Sequence, residues 1–516
     1  MARRFRSLRT EPRVSYDAVV IGAGVGGLLC ANLLSRAGMR VLLIEQHYMV
    51  GGYCSTFKRK GFLFDAATHF YPLLGNPSTI TGRVLDEIGV DTQWIKMDPV
   101  DRFHFPDGTS FSVPADFKAY IAQLKRDFPY ESGSIDTFFD VVQRVYLLGL
   151  LRFFRGRSTE QLRPYLKTSV QQALDTYLHD PRLKLILTAD TGHWGSPPAR
   201  TSFVFDSMLR LAYFLGNYYP KGGSQSFSDE LAARFEESGG HILMSSMVTR
   251  IHTRNGTASA VEFETGIGSK RRSSSVRAEH IVSNADLLQT LERMLPNADP
   301  DYVSTVKHLR PTLPCFVMHV GLRGISTRIL EEVQGYHWSS WDPNDVATDA
   351  FKIFVPTLFD PEVAPSGGHI VIVQKITRID YHTIADWPRH KATVQNYLTA
   401  KLEQLIPGFS DHVVVKLSAS ALTSHRFTLN HCGAMLGWEL APDQLGEDRP
   451  DVVGPANNLY FVGHWTQPGG GITPVMVSAM RVAQLITGSR ESRVPSSPVL
   501  TAIPGVPMSS TSAIAV

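Results

Sequence analysis

Two glycine-rich turns, one near each end of the chain, carry most of the chemistry legible in this sequence. The first, Gly22-Ala23-Gly24-Val25-Gly26-Gly27, satisfies G-x-G-x-x-G, the pattern with which a backbone cradles a pyrophosphate. Gly22 permits the tight turn, Gly24 lets the backbone approach the phosphates, and Gly27 lets the following helix pack close to the preceding strand. The helix N-terminus adds unpaired N–H groups and a positive dipole end. Glu45 stands about 20 residues further on, where an acidic side chain accepts hydrogen bonds from a ribose diol. The second turn, Gly469-Gly470-Gly471, feeds a helix that begins near Thr473 and Pro474, and proline suits a first helical turn.

These turns need strands and helices on either side of them. Tyr16 to Ile21, rich in Val, reads as a strand, and an apolar helix follows the first turn and ends near Gly38. Arg40 to Ile44 reads as the second strand. Residues 86 to about 215 carry apolar residues at helical spacing and many aromatics, so this stretch is expected to be mostly helical. Beyond Met247 the pattern becomes a small meander: Val248 to Arg254, an Asn255-Gly256 turn, Ala258 to Glu264, a polar loop from Gly266 to Ser275, and a strand around His280 to Val282. Strands and helices mix from about 300 to 425, with Cys315 to Leu322 as a buried strand. Leu459 to Gly463 is the last strand, and Val475 to Ile486 the last helix.

Composition excludes several classes. The 516 residues are 43% hydrophobic and 19% charged, an ordinary globular mix. Lys and Arg exceed Asp and Glu by 51 to 48, so no basic excess proposes nucleic acid. Cys30, Cys54, Cys315 and Cys432 are too scattered for a disulfide framework and contain no CxxC pair; a reducing, cytoplasmic location is expected. His425, His431 and Cys432 lack a ligand spacing, so no metal is expected. Gly223-Ser224-Gln225-Ser226 lacks the flanking glycines of a nucleophile elbow. Ala18 to Ala31, the longest nearly apolar run, is shorter than the ~20 residues a membrane-spanning helix needs, and no apolar core of a secretory signal follows the N-terminal arginines. Val145 to Arg157 combines apolar residues with C-terminal arginines, a pattern that suits either a core helix or a helix lying in a bilayer interface.

Further residues carry a family resemblance. Glu45 is followed by Gln46-His47-Tyr48-Met49-Val50-Gly51-Gly52, similar to the E-x4-hydrophobic-G-G of FAD-dependent oxidoreductases, and Gly61 to Asp65 is similar to their G-x-x-x-D segment. Within that group the chain resembles the phytoene desaturase family with its carotenoid isomerase, ketolase and retinol saturase relatives. Pro220-Lys221-Gly222-Gly223, Gly239 to Val248, Val282-Ser283-Asn284-Ala285-Asp286, His431 to Gly437, and Thr466-Gln467-Pro468-Gly469-Gly470-Gly471-Ile472-Thr473 carry the likeness in order, from about residue 15 to 488. The resemblance implies FAD held by Gly22, Ala23, Gly24, Gly27, Glu45, Gln46, Gly51, Gly52, Val248, Gly463, His464, Gly470, Gly471, Ile472 and Thr473. It implies a Val248 backbone contact with adenine and a dipole end near Thr473 that stabilises negative charge on a reduced flavin. Two departures stand out: Asp65-Ala66-Ala67 replaces D-x-G, and His464 occupies the place of the usual acidic ribityl contact.

The fold so implied is α/β: a Rossmann-type FAD-binding domain of the flavin amine oxidase-like two-domain architecture, with an interleaved α+β substrate domain. A basic arm (1–14) would precede FAD-binding segments at 15–85, 216–300 and 425–490, with substrate-domain segments at 86–215 and 301–424. The tail over 491–516 is expected to be disordered: Val494 to Val516 holds no charge and no aromatic. The implied activity is flavin hydride chemistry on a carotenoid-like polyene or isoprenoid: desaturation, isomerisation or saturation. An FAD amine or small-molecule oxidase and a non-catalytic prenyl-lipid carrier are the alternatives. His69, just past the first flavin loop, is the candidate for a catalytic group near the reacting carbons, and His193 for the lining of a substrate channel. Peripheral contact with membrane lipid is left open, and so is the oligomeric state.

Overall fold

The computed structural model describes residues 7–8, 12–155, 160–266, 271–348, 350–378 and 381–488. The expected tail lies outside them, as do most of the basic arm, the end of the Val145–Arg157 run and the middle of the 266–275 loop.

A seven-stranded sheet positions both glycine turns. Its order is Ser246–Arg254, Thr257–Thr265, Arg272–Ser283, Ser15–Ile21, Val41–Ile44 and His241–Leu243, with Leu459–Phe461 beside the far end of Arg272–Ser283. The first three strands pair antiparallel; from Arg272–Ser283 onward every pairing is parallel, including that with Leu459–Phe461. Val41–Ile44 is buried at every position, as a parallel strand covered on both faces must be. Ala18, Val20, Val41 and Leu43 point to one face, where helices Val25–Arg36, Ser224–Glu237 and Ile472–Thr487 pack. Val19, Ile21, Leu42 and Ile44 point to the other, against Val248, Ile251, Val261 and Phe263 of the meander. The Asn255-Gly256 turn has positive φ at both residues, 52° and 74°, the twist that a two-residue hairpin needs.

A second seven-stranded sheet runs Val413–Ala419, Cys315–Arg323, Gly368–Ile376, Phe351–Phe354, Gly335–His337, Asp101–His104 and Ser110–Val113. One face (Val317, Ile370, Ile372, Phe354) meets helices Ser132–Arg155 and Phe203–Phe214 in the largest core. The other (Met318, Val320, Ile353, Val371) meets Leu398 and Leu402 of helix Trp387–Leu405. Residues 86–215 are thus less purely helical than their spacing suggests. They contribute strand Trp94–Lys96 and the hairpin Asp101–His104/Ser110–Val113, which turns at Gly108 with φ of 80° and buries Phe103, Phe111 and Val113. Of the Val145–Arg157 run, Val145, Tyr146, Leu148 and Phe153 are buried, so its apolar face up to Phe153 belongs to the core. Among the described residues no helix is long and apolar enough to cross a membrane.

Candidate active site

Strand Ser15–Ile21 ends at Gly22, whose φ is 93°, and the chain enters helix Val25–Arg36 with Gly24 as an N-cap that has no side-chain partner. The first N–H groups of that helix are therefore open to a ligand. Gly27 lies so close to the turn that a Cβ there would stand 2.1 Å from the Gly22 carbonyl oxygen. Glu45, at the end of the neighbouring strand, accepts from the Ala23 N–H at 2.6 Å and the His47 N–H at 2.7 Å. Burial raises its carboxyl above the usual range, and those two N–H groups pull against the rise. Gly51 closes the cradle: its N–H donates to the Ala23 carbonyl at 2.7 Å, and its φ is 108°.

The second turn is built around a buried cation. Arg449 donates to the carbonyls of Trp438, Glu439, His464 and Thr466, at 3.2, 3.3, 2.7 and 3.2 Å, and so ties the 438–439 segment to the residues that lead into Gly469–Gly471. Burial lowers its pKa to about 9. His464 Nε2 donates to Asn430 Oδ1 at 3.2 Å, and the Trp465 indole donates to the same oxygen at 3.0 Å. Burial and the nearby Arg449 push the His464 imidazole down to about 3, so it is neutral at pH 7. Gly470 has no room for a side chain, since a Cβ would stand 2.2 Å from the Leu436 carbonyl oxygen. Gly471 is the N-cap of helix Ile472–Thr487, again with no side-chain cap. Thr473 Oγ1 donates to the Pro72 carbonyl at 3.2 Å.

Both open helix ends and Glu45 border one cavity of about 770 Å³, within the range of roughly 300–1,000 Å³ usual for small-molecule sites. Gly22, Gly24, Glu45, Gln46, Gly51, Gly52, Val248, Gly463, His464, Gly470, Gly471, Ile472 and Thr473 all line it, as do His69 and His193. Ala23 and Gly27 do not: Ala23 acts through its hydrogen bond to Glu45, and Gly27 through helix packing. Ala66 and Ala67 line the cavity, while Asp65 lies behind them. Asp65 accepts from Thr56 Oγ1, the Tyr219 hydroxyl and the Ser224 N–H, which fastens the loop to the start of helix Ser224–Glu237. From the cradle the cavity continues between the second sheet and the helices Ser132–Arg155 and Phe203–Phe214, past Leu150, Phe205, Met208, Val317 and Ile376. His69 is 3% exposed, stacks on Phe354 at 4.8 Å and has no partner at either ring nitrogen. Burial first, then Lys352 and His319, hold it well below the ordinary imidazole range.

Two contributors are not singled out by the sequence patterns alone. Asn284 lies where Cβ atoms at Gly24, Gly26 and Gly463 would each meet its amide within about 3 Å; it sits at the end of Arg272–Ser283, in parallel register with Ser15–Ile21. The V-S-N-A-D likeness was its only signal. Lys352 lines the far part of the cavity, and no motif surrounds it. Among the described residues no group of three His, Cys, Asp or Glu side chains is placed to hold a metal ion.

Two glycine-built helix N-termini facing one cavity, with a buried acid at the end of the second strand, define a dinucleotide-binding oxidoreductase fold, and the residues fit FAD. The chain belongs to the flavin containing amine oxidoreductase family, whose model matches residues 25–487. It is 26% identical to prolycopene isomerase 1, chloroplastic, of an Oncidium hybrid cultivar, over 93% of this chain and 85% of that protein. It is 25% identical to the all-trans-retinol 13,14-reductase of Danio rerio (87% and 82%) and to the neurosporene-forming phytoene desaturase of Cereibacter sphaeroides (92% and 95%). Among solved structures, an oxidoreductase from Methanosarcina mazei superposes with a TM-score of 0.63 at 20% identity, covering 90% of this chain and 99% of its own. Cyclohexylamine oxidase from Brevibacterium oxydans superposes with a TM-score of 0.62 at 15% identity, covering 92% and 99%. The protein is a flavoenzyme, with FAD as its cofactor.

Proposed function

We propose that this enzyme acts on a carotenoid-like polyene or related isoprenoid, removing, adding or rearranging hydrogen at its carbon–carbon double bonds. The observation that carries the reading is the continuous cavity: a polar, glycine-built end runs into a long stretch walled by aliphatic and aromatic side chains. Bound FAD supplies hydride acceptance and return. The protein's part is to hold and orient. The N-termini of helices Val25–Arg36 and Ile472–Thr487 offer N–H groups to negative charge, Glu45 offers its carboxylate to a ribose, and Val248 its backbone to an adenine. Leu150, Met208 and Val317 exclude water from the apolar stretch. His69, neutral and unpartnered beside the Ala66–Thr68 loop, is the group we assign to the neighbourhood of the reacting carbons. In this reading 15–85, 216–300 and 425–490 form the FAD-binding part and 86–215 with 301–424 the substrate part. Delivery of the substrate from a lipid surface is supported by the arginines of the sequence run ending at Arg157, and co-sedimentation with anionic vesicles tests it.

The test of the activity is to express the protein in a carotenoid-accumulating host and to measure the mass and absorption maximum of the extracted polyenes. Loss of two hydrogens defines a desaturase and gain of two a saturase; unchanged mass with a shifted spectrum defines an isomerase. A flavin-loaded protein that changes none of the polyenes refutes the reading and points to an amine or small-molecule oxidase.

A further inference from the structure

One stretch of the apolar cavity wall is polar and has no part in the FAD cradle. Lys352, on strand Phe351–Phe354, is 1% exposed. Its ammonium donates to Asp101 Oδ2 at 2.8 Å and lies 2.9 Å from His193 Nε2. The rings of Phe70 and Tyr336 lie beside it, at 3.7 and 4.6 Å from their centroids. Burial lowers Lys352 to about 8, which leaves it charged at pH 7. An ammonium can only donate, so Nε2 of His193 accepts and the imidazole proton resides on Nδ1. Nδ1–H then donates to the Tyr213 hydroxyl oxygen at 3.3 Å. The Tyr213 O–H is left to donate into the cavity that Tyr213, His193 and Lys352 line together.

His69 borders the same space. Burial, Lys352 and then His69 itself lower the His193 imidazole well below its ordinary range, so both rings are neutral. A neutral imidazole presents one donor and one acceptor, and in His69 both lack a partner. The charges around this wall cancel: Asp101 pairs with Lys352, and Asp206 pairs with Arg210 at 2.9 Å. Asp190, which burial raises to about 7, adds no positive charge. Among the described residues of this wall, no surplus cation is available for a carboxylate or a phosphate.

We propose that this wall is a subsite for a neutral oxygen function, a hydroxyl or a carbonyl, carried by the polyene, with Tyr213 and His69 as its hydrogen-bond partners and Asp101, Lys352 and His193 positioning Tyr213. The proposal rests on the polyene reading above and narrows it: a pure hydrocarbon would leave the Tyr213 proton and both His69 nitrogens unpaired in an apolar chamber, which is unfavourable.

The test titrates the FAD-loaded enzyme with detergent-dispersed lycopene and with the same acyclic polyene bearing a terminal hydroxyl or a terminal aldehyde. The shift of the flavin absorption band reports each Kd. At least one oxygenated ligand binds about 10-fold tighter than lycopene, the effect of a satisfied buried hydrogen bond. Tyr213→Phe and His69→Phe, each checked for full FAD content, bring that ratio toward one. Lys352→Met does the same through the disordered Tyr213; a merely collapsed cavity would weaken all three ligands together and leave the ratio intact. Equal binding of lycopene and both oxygenated ligands by the wild type overturns this proposal and leaves the polyene reading standing. A ratio that survives in both Tyr213→Phe and His69→Phe overturns it as well. If none of the three ligands perturbs the flavin, the polyene reading falls, and this proposal with it.

Discussion

Gly24 and Gly27 are three residues apart in one motif, yet the structure gives them different work, and alanine at each should separate the two. At Gly27 a methyl group would lie 2.1 Å from the Gly22 carbonyl oxygen, against the 3.4 Å of an ordinary contact. The obstacle is backbone, so no rotamer relieves it. Helix Val25–Arg36 must move about 1 Å from the sheet, and a gap of that size forfeits roughly a quarter to a half of each affected contact. Leu28, Leu29, Ala31 and Leu34 are all fully buried, so Gly27→Ala should cost about 3 kcal/mol, the upper end for over-packing. At about 2 cal/mol/K of unfolding entropy per residue, that is roughly a 3 °C loss of Tm in a chain of this size. At Gly24 φ is −68°, which alanine tolerates, and the methyl meets only the Asn284 side-chain amide, at 2.9 Å. That amide is the end of a side chain that lines the cavity and can shift into it, so the methyl and the displaced amide crowd the cofactor cavity. Gly24→Ala should therefore melt within about 1 °C of wild type as apoprotein but bind FAD at least about 10-fold more weakly. Thermal unfolding of both apoproteins and fluorescence titration with FAD make the measurement. The reasoning is refuted if Gly24→Ala loses as much apoprotein Tm as Gly27→Ala, or if Gly27→Ala melts like wild type.

Three further outcomes follow from the same geometry. Glu45→Gln keeps the size but turns an N–H donor toward either the Ala23 or the His47 N–H; a loss of about 1–3 kcal/mol is expected, read as a weaker FAD Kd, and an unchanged Kd would show that the carboxylate does not matter there. Arg449→Met strands four buried carbonyls and should lower stability by on the order of 3 kcal/mol, yielding flavin-poor protein; a full flavin-to-protein ratio on purification would contradict that. His319 is lowered by burial to about 4 from the ordinary 6.5. The unfolded chain therefore takes up a proton below pH 6.5 that the folded chain refuses until about pH 4. Its stabilisation is complete above pH 6.5 and is lost as pH falls, with a slope of about 1.4 kcal/mol per pH unit. Urea unfolding of wild type and His319→Gln from pH 6 to 4.5 should differ by that slope, and parallel curves would sink the assignment.

The glycine turns that border the cavity were legible because they depend on backbone sterics, which leave a local trace. Gly22, Gly51 and Gly471 adopt positive φ, and Gly27 and Gly470 stand against carbonyl oxygens; glycine is the residue that answers both demands. The polar wall left no such trace. Lys352 meets Asp101 and His193 across 251 and 159 residues of sequence, and no periodicity predicts that a lysine inside a four-residue apolar strand keeps a buried partner. Asn284 was visible within a family-like segment, but its role depends on the parallel register of Arg272–Ser283 with Ser15–Ile21. The run from Val145 reads equally well as core or as interface, because both bury an apolar face; packing against helix Phe203–Phe214 decides for the core up to Phe153. The hairpin at 101–113 escaped for a related reason: its strands are four residues each, too short for alternation to outweigh the helical pattern around them.

Strand Arg272–Ser283 joins early and late parts of the chain, since Ser15–Ile21 lies along one of its edges and Leu459–Phe461 along the other. Between Gly22 and Gly463 a ribosome adding about 5–20 residues per second works for roughly 20–90 s. During that interval the first phosphate cradle is finished while the wall opposite it does not yet exist. Flavin capture is therefore expected only once Leu459–Phe461 has been made, and any fragment that stops short of residue 459 should emerge colourless and with an open sheet edge, a ready target for chaperones or for pairing with another unfinished copy.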